Sequence, residues 1–231
     1  MYRSPRRFKP ILCTKDLKPK VVRKFVCLTV SNVTLDNNCI IDLEQNNARA
    51  PHLKRLIKMH CDGEIKLRVV AISASERKPD HSYVSHFDEF KQRLDVVGLG
   101  TVEILPTIAY LGLSFFDYCL FGGGELEELE RKVQRILFPT TAIEFSDFCN
   151  ERGYKPDDNK AWSRWVNAKC DVLALWSHIW FKGDIFITTD KDFHKKSVKP
   201  RLIELGAGKI LRPDEAVNLL APVNDCAWIR A

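Results

Sequence analysis

The chain has 231 residues, 45% of them apolar and 29% charged, which is the composition of a globular protein with enough material for a core. No run reaches the roughly 20 apolar residues that cross a bilayer, and the basic start MYRSPRRFKP has no apolar segment behind it. That pattern points away from membrane insertion and secretion and toward the cytoplasm. The eight cysteines are scattered with no CxxC pair, which argues against a zinc knuckle or a dithiol redox motif and for reduced, largely buried thiols.

The net charge of +6 is unevenly placed. Residues 1–24 hold nine Lys and Arg side chains against Asp16 alone. This arm either contacts phosphates, with Arg6, Arg7, Lys20, Arg23 and Lys24 as candidates, or is a solvated tail. Residues 25–231 then read as a folded domain with an insertion around 100–160.

Phe25 to Val33 predicts a strand ending at a turn, Asp36-Asn37-Asn38, followed by a short apolar run, Cys39-Ile40-Ile41, that closes on Asp42. Pro51 suits a first helical turn, with Leu53, Leu56, Ile57 and His60 on one face and Gly63 at the end. Leu67 to Ile72 reads as a strand buried on both faces. It leads into Ser73 to Glu76, where a serine predicts the cap of a helix carrying Glu76 in its first turns.

Phe87, Phe90, Leu94 and Val97 recur at helical spacing before Gly98-Leu99-Gly100, and Thr101 to Leu105 is a further strand. The triple glycine 122–124 precedes a helix with Leu126, Leu129, Val133, Ile136 and Leu137 inward. Its first turn is acidic and its end basic, which suits the helix dipole and argues against a phosphate cradle. A long helix spans from Asn159 to Gly183. The stretch Asp184 to Thr189 is β-rich and closes on Asp190, and Lys209 to Glu215 is a last strand entering a helix. Helices alternating with strands predict an α/β fold, a three-layer α/β/α sandwich on a mostly parallel sheet. Such sheets bind ligands at the carboxyl ends of their strands.

Acids gather at those predicted ends: Asp42, Glu76, Asp190 and Asp192, with Asp171 inside an otherwise apolar helix segment. Singly, each has an ordinary alternative: a turn residue for Asp42, a solvated helix acid for Glu76, an Asx turn for Asp190 and Asp192. Asp171 resists that treatment, because an unpaired carboxylate among apolar neighbours is costly to bury. Converging acids suit hard Mg²⁺ or Mn²⁺, which can activate water and stabilise displacement at phosphorus.

The segments Lys169-Cys170-Asp171-Val172-Leu173-Ala174-Leu175 and Ile187-Thr188-Thr189-Asp190-Lys191-Asp192-Phe193 resemble the closing half of a PIN domain. In that family an apolar helix bearing one Asp precedes a strand ending T-x-D-x-D-F. The tail from Gly208 to Val217 resembles the family's last strand and helix start. The resemblance, to a family of ribonucleases that includes VapC-type toxins, implies a Mg²⁺- or Mn²⁺-dependent endoribonuclease. Its four acids would be Asp42, Glu76, Asp171 and Asp190, with Asp192 as an accessory ligand and Thr188 supporting. The residues after Asp42 are Leu43-Glu44-Gln45 rather than the family's small polar residue and Asn, which leaves Asp36 and Glu44 as alternatives. For a toxin-like member, the implied partners are RNA, an inhibitory antitoxin-like protein and a second copy of the chain. A non-catalytic RNA- or protein-binding module and a structure-specific DNA nuclease are the competing readings.

His178 lies seven residues after Asp171, on a similar helical face, and is expected either to pack or to touch the site. Trp162, Trp165, Trp176 and Trp180 are expected in the core rather than stacked on bases.

Overall fold

Strand β1 (Ser31–Leu35) occupies the middle of a five-stranded sheet, in a computed structural model that describes residues 30–221 apart from 79 and 81. The basic arm and most of the strand expected from Phe25 lie outside the described residues, as do Cys13, Cys27 and Cys226. The turn expected at Asp36 is instead the start of helix α1 (Asn37–Glu44), with Asp36 as its cap. The apolar run 39–41 is helical rather than extended: Cys39, Ile40 and Leu43 face the core at helical spacing.

Helix α2 (Ala50–Cys61) begins around Pro51, as its sequence predicts, and buries Leu53 and Leu56. Strand β2 (Ile65–Val70) stops two residues earlier than expected. A 3₁₀ turn, Ala71–Ser75, takes the place of the expected helix, and Glu76 itself is extended. Helix α3 (Phe87–Val96) and strand β3 (Glu103–Leu105) follow.

The stretch 100–160 contributes strands β4 (Thr107–Ile108) and β5 (Cys119–Leu120), paired as a separate two-stranded sheet, and helices α4 (Glu125–Leu137) and α5 (Phe145–Arg152). Helix α6 (Asn159–Trp180) is capped by Asp158, which accepts from the Lys160 and Ala161 amides. It leads into β6 (Ile185–Ile187), then α7 (Lys199–Leu202), β7 (Lys209–Leu211) and α8 (Pro213–Leu220).

The main sheet runs β3-β2-β1-β6-β7 and every pair is parallel. Alternation along its strands divides two cores. Val33, Leu35, Leu67, Val69, Ile185 and Ile187 pack toward α1, α2, α3 and α8, while Val70, Phe186 and Ile210 pack toward α4, α5 and α6. The chain is therefore an α/β/α sandwich. Among the described residues, no helix is long and apolar enough to cross a membrane. Cys39, Cys149 and Cys170 are buried thiols, whereas Cys61 is exposed.

Trp165 and Trp176 belong to the core, and their indole N–H groups donate to the Ala142 and Leu126 carbonyls. His178 packs and does not reach the acids. Its ring bonds the Thr34 hydroxyl at 2.9 Å and the Ala207 carbonyl at 3.0 Å, and burial lowers its pKa to about 4. Gly183 was expected as the helix stop, but the left-handed residue there is Lys182 (φ 53°). Gly183 serves close approach instead: a Cβ on it would stand 2.1 Å from the His178 ring. That ring is held from both sides, so Gly183→Ala is expected to destabilise the fold by about 1–3 kcal/mol. Urea unfolding checks this, and an unchanged midpoint would mean that the ring can swing aside.

Candidate functional site

In the strand order β3-β2-β1-β6-β7 the chain leaves β1 toward one edge and later returns to its other side, so the order reverses between β1 and β6. At such a switch point the connections diverge and open a crevice at the carboxyl ends of the strands. Asp36 follows β1 and Asp190 follows β6, one on each side of that crevice.

Asp36 is held by the backbone around it. Its amide donates to the Ile187 carbonyl (3.0 Å), which ties it to β6. Its side chain accepts from the Asn37 amide at 2.8 Å, the Asn38 amide group at 3.2 Å and the Thr188 hydroxyl at 2.6 Å. Thr188 Oγ1 in turn accepts from the Asp190 amide (3.0 Å), and Asp190 accepts from the Asp192 amide (2.7 Å). One chain of hydrogen bonds thus runs from Asp192 through Asp190 and Thr188 to Asp36.

Glu76 comes from β2 through the 3₁₀ turn. One carboxylate oxygen accepts from Asn37 Nδ2 at 3.1 Å, and the other is buried with no partner. Asp171 comes from the helical layer. It lies nine residues before the end of α6, about 13 Å along a helix axis. β6 and the residues after it climb back a similar distance, about 3.3 Å per residue. A mid-helix residue therefore meets the strand ends.

The acids act on one another electrostatically. Burial, and then the charges of Asp36, Glu76, Asp190 and Asp192, hold the Asp171 pKa well above the usual carboxylate range. Burial raises Glu76 to about 8, with Asp36 adding to the shift, and raises Asp36 to about 6 against its hydrogen bonds from Thr188 and Asn37. Nearby cations are committed elsewhere. Arg93 forks onto Glu44 at 2.7 and 3.0 Å, and Lys169 is buried against Glu130 and Tyr110. Lys195 pairs with Asp192 at the rim, at 2.7 Å.

Of the residues singled out from the sequence, Thr188, Asp190 and Asp192 lie along this hydrogen-bonded chain, Glu76 is bonded to Asn37 beside it, Asp171 feels the charge of these acids, and Asp42 lies apart. Asp42 sits on the far turn of α1, where it binds the Asn47 side chain and faces Arg49 at 3.6 Å. Glu44, the other alternative, is the partner of Arg93. The acid at the end of β1 is Asp36. Its signal was an Asp placed directly after a strand and before a helical run, obscured because Asp36-Asn37-Asn38 also spells a turn.

The donor set fits a hard divalent ion: carboxylate oxygens, one of them buried and unpartnered, at a crevice where the acids repel one another. Among the described residues, no three His, Cys, Asp or Glu side chains close on one point as a ready-made cage. A hydrated ion that takes only one or two carboxylates directly suits that wider spacing.

No family model and no curated protein matches the sequence. One solved structure that the chain resembles is a VapBC2 complex of Rickettsia felis bound to a promoter DNA fragment. The likeness has a TM-score of 0.35 and 11% identity, and it covers 78% of this chain and 98% of that one.

The raised acids carry a pH signature. A carboxylate whose folded pKa exceeds its unfolded value contributes stability at low pH, and that contribution is lost as pH rises through the folded value. His178 works in the opposite sense, because its folded pKa is depressed, but its effect is confined to the interval from about 4 to 6.5. Above about pH 6.5 that opposing contribution no longer changes. Metal-free protein is expected to lose on the order of 1–2 kcal/mol between pH 6.5 and 8, chiefly through Glu76. Chemical denaturation in EDTA measures the slope, and Glu76→Gln should flatten it. A slope of the opposite sign would refute the placement of these acids.

Proposed function

We propose that the chain is a Mg²⁺- or Mn²⁺-dependent endoribonuclease whose site is the crevice between β1 and β6. The observation that carries the reading is the hydrogen-bonded chain from Asp190 through Thr188 to Asp36, with Glu76 bonded to Asn37 beside it and the charges of these acids acting on Asp171. One or two of these four carboxylates would hold a hydrated ion directly and the others through its waters, with Asp192 as an accessory at the rim. When bound, a divalent ion supplies charge neutralisation and a water acidic enough to attack phosphorus. Thr188 and Asn37 orient Asp36 and Glu76, so that the oxygens facing the crevice are fixed before substrate arrives. RNA as the substrate class follows from the resemblance of Thr188-Thr189-Asp190-Lys191-Asp192-Phe193 to the PIN family. An antitoxin-like inhibitor and a homodimer are expectations from the same resemblance.

Cleavage of labelled single-stranded RNA in Mn²⁺ is the direct test. Activity is expected to vanish in EDTA and to fall at least about a hundredfold in Asp36→Asn, Asp171→Asn and Asp190→Asn. Asp42→Asn should remain active, because its partners are Asn47 and Arg49. Activity retained in the three cluster variants would refute the assignment. Cleavage of DNA alone would move the substrate to DNA, and tight RNA binding without cleavage would make the protein a binding module.

Metal should also act on stability. Mn²⁺ is expected to raise the melting temperature more at pH 8 than at pH 6.5, where protons compete for the same oxygens. Differential scanning fluorimetry at the two values decides it; an equal shift would place binding elsewhere.

A further inference from the structure

The residues on either side of Glu76 each reach out to a wall of one cavity. The cavity measures about 210 Å³ and is lined by Ala74, Ser75, Tyr83, Leu113, Phe115 and Trp162, among others. Ser75, immediately before Glu76, donates its hydroxyl to the Leu113 carbonyl at 2.5 Å and so fixes the loop that presents Phe115. Arg77, immediately after Glu76, donates to the Tyr83 hydroxyl at 2.9 Å and to Ser163 on α6 at 2.6 Å, next to Trp162 and one turn before Val166. Its guanidinium also lies over the Tyr83 ring, 5.6 Å from the centroid.

Three aromatic rings therefore border a small cavity that Ser75, the neighbour of Glu76, also lines, and the exposed Arg77 is bonded to its Tyr83 wall. Tyr83 is 43% exposed, so a ring face is open to a ligand. Trp162 is only half-buried, because its other contacts are with Phe145 and Trp165.

We infer that this cavity receives one unstacked base of single-stranded RNA, next to the phosphate cleaved at the acids. Flat aromatic faces accept any base by stacking, and a cation at the mouth suits the phosphate that the base carries. The cavity takes one ring system rather than a duplex, which makes the site selective for single strands. The pairing of base pocket and scissile phosphate rests on the nuclease reading; the pocket itself does not.

The test uses the full chain in EDTA and follows the anisotropy of a short fluorescein-labelled single-stranded RNA against an abasic strand of equal length. Wild type should bind the RNA more tightly. Tyr83→Ala should weaken RNA binding about tenfold and leave the abasic strand unaffected. RNA should quench tryptophan fluorescence, and Trp162→Phe, which keeps an aromatic ring in the core contacts, should remove that quench. Equal affinity of wild type for both strands, or an unchanged affinity in Tyr83→Ala, overturns the pocket. Base-dependent binding by a protein that cleaves nothing in Mn²⁺ refutes the nuclease reading and keeps the pocket. Cleavage without base-dependent binding does the reverse.

Discussion

The hydroxyl of Thr188, donating to Asp36 across the seam between β1 and β6, is the contact on which the geometry of the crevice depends. It is short, fully buried and shared: the same oxygen accepts from the Asp190 amide. Through it the position of the acid after β1 is tied to that of the acid after β6. The Asp36 amide bond to Ile187 fixes the same junction through the backbone. Parallel pairing places the two strand ends side by side, but pairing alone would let the side chains point anywhere. A threonine at the strand end, with a hydroxyl that both donates and accepts, removes that freedom.

The same junction opposes folding. Asp36, Glu76 and Asp171, whose proton affinity is raised by burial and by the charges of neighbouring acids, are a net liability in a metal-free protein, and the sandwich has to carry them. It does so with two cores packed against opposite sheet faces, which hold the strand ends whatever the acids do. Cations that could have relieved the strain are directed elsewhere. Lys169 lies two positions from Asp171 on α6, about 200° around the helix axis. There it is buried against Glu130 and the Tyr110 ring. Arg93 forks onto Glu44, and from there its charge only partly offsets the rise at Glu76.

How far the sequence disclosed this arrangement depends on the range of the forces involved. Helices α2, α4 and α6, and the strand entering Asp190, were legible because their apolar period and end residues are local signals that agree with their burial. The closing motif from Thr188 to Phe193 was legible for the same reason: its acids, its hydroxyl and its buried Phe193 form a compact unit. The start of the site was not. Cys39-Ile40-Ile41 is too short for its period to separate a strand from a helix, and read as a strand it moves the strand end from Asp36 to Asp42. What separates the two acids is tertiary: Asp36 faces Thr188, 152 residues away, whereas Asp42 faces Arg49 on its own side of α1. The 3₁₀ turn before Glu76 was missed because a serine-rich entry to a helix and a short 3₁₀ turn look alike in sequence.

Helix α6 joins these levels. Its apolar residues, Val172 to Trp176, are buried without exception and anchor it between the sheet and α4. Asp171 directly precedes that run, so its depth is set by the burial of its neighbours rather than by any bond of its own. The half of the helix before Asp171 bears Ser163, which Arg77 grips, and Trp162, which lines the cavity beside Glu76. One rigid element thus sets the spacing between an acid in the crevice and an aromatic ring above it, at 1.5 Å per residue. A loop could present either residue, but only a continuous helix anchored in the core fixes the distance between them. That distance is what would couple recognition of a base to the placement of its phosphate.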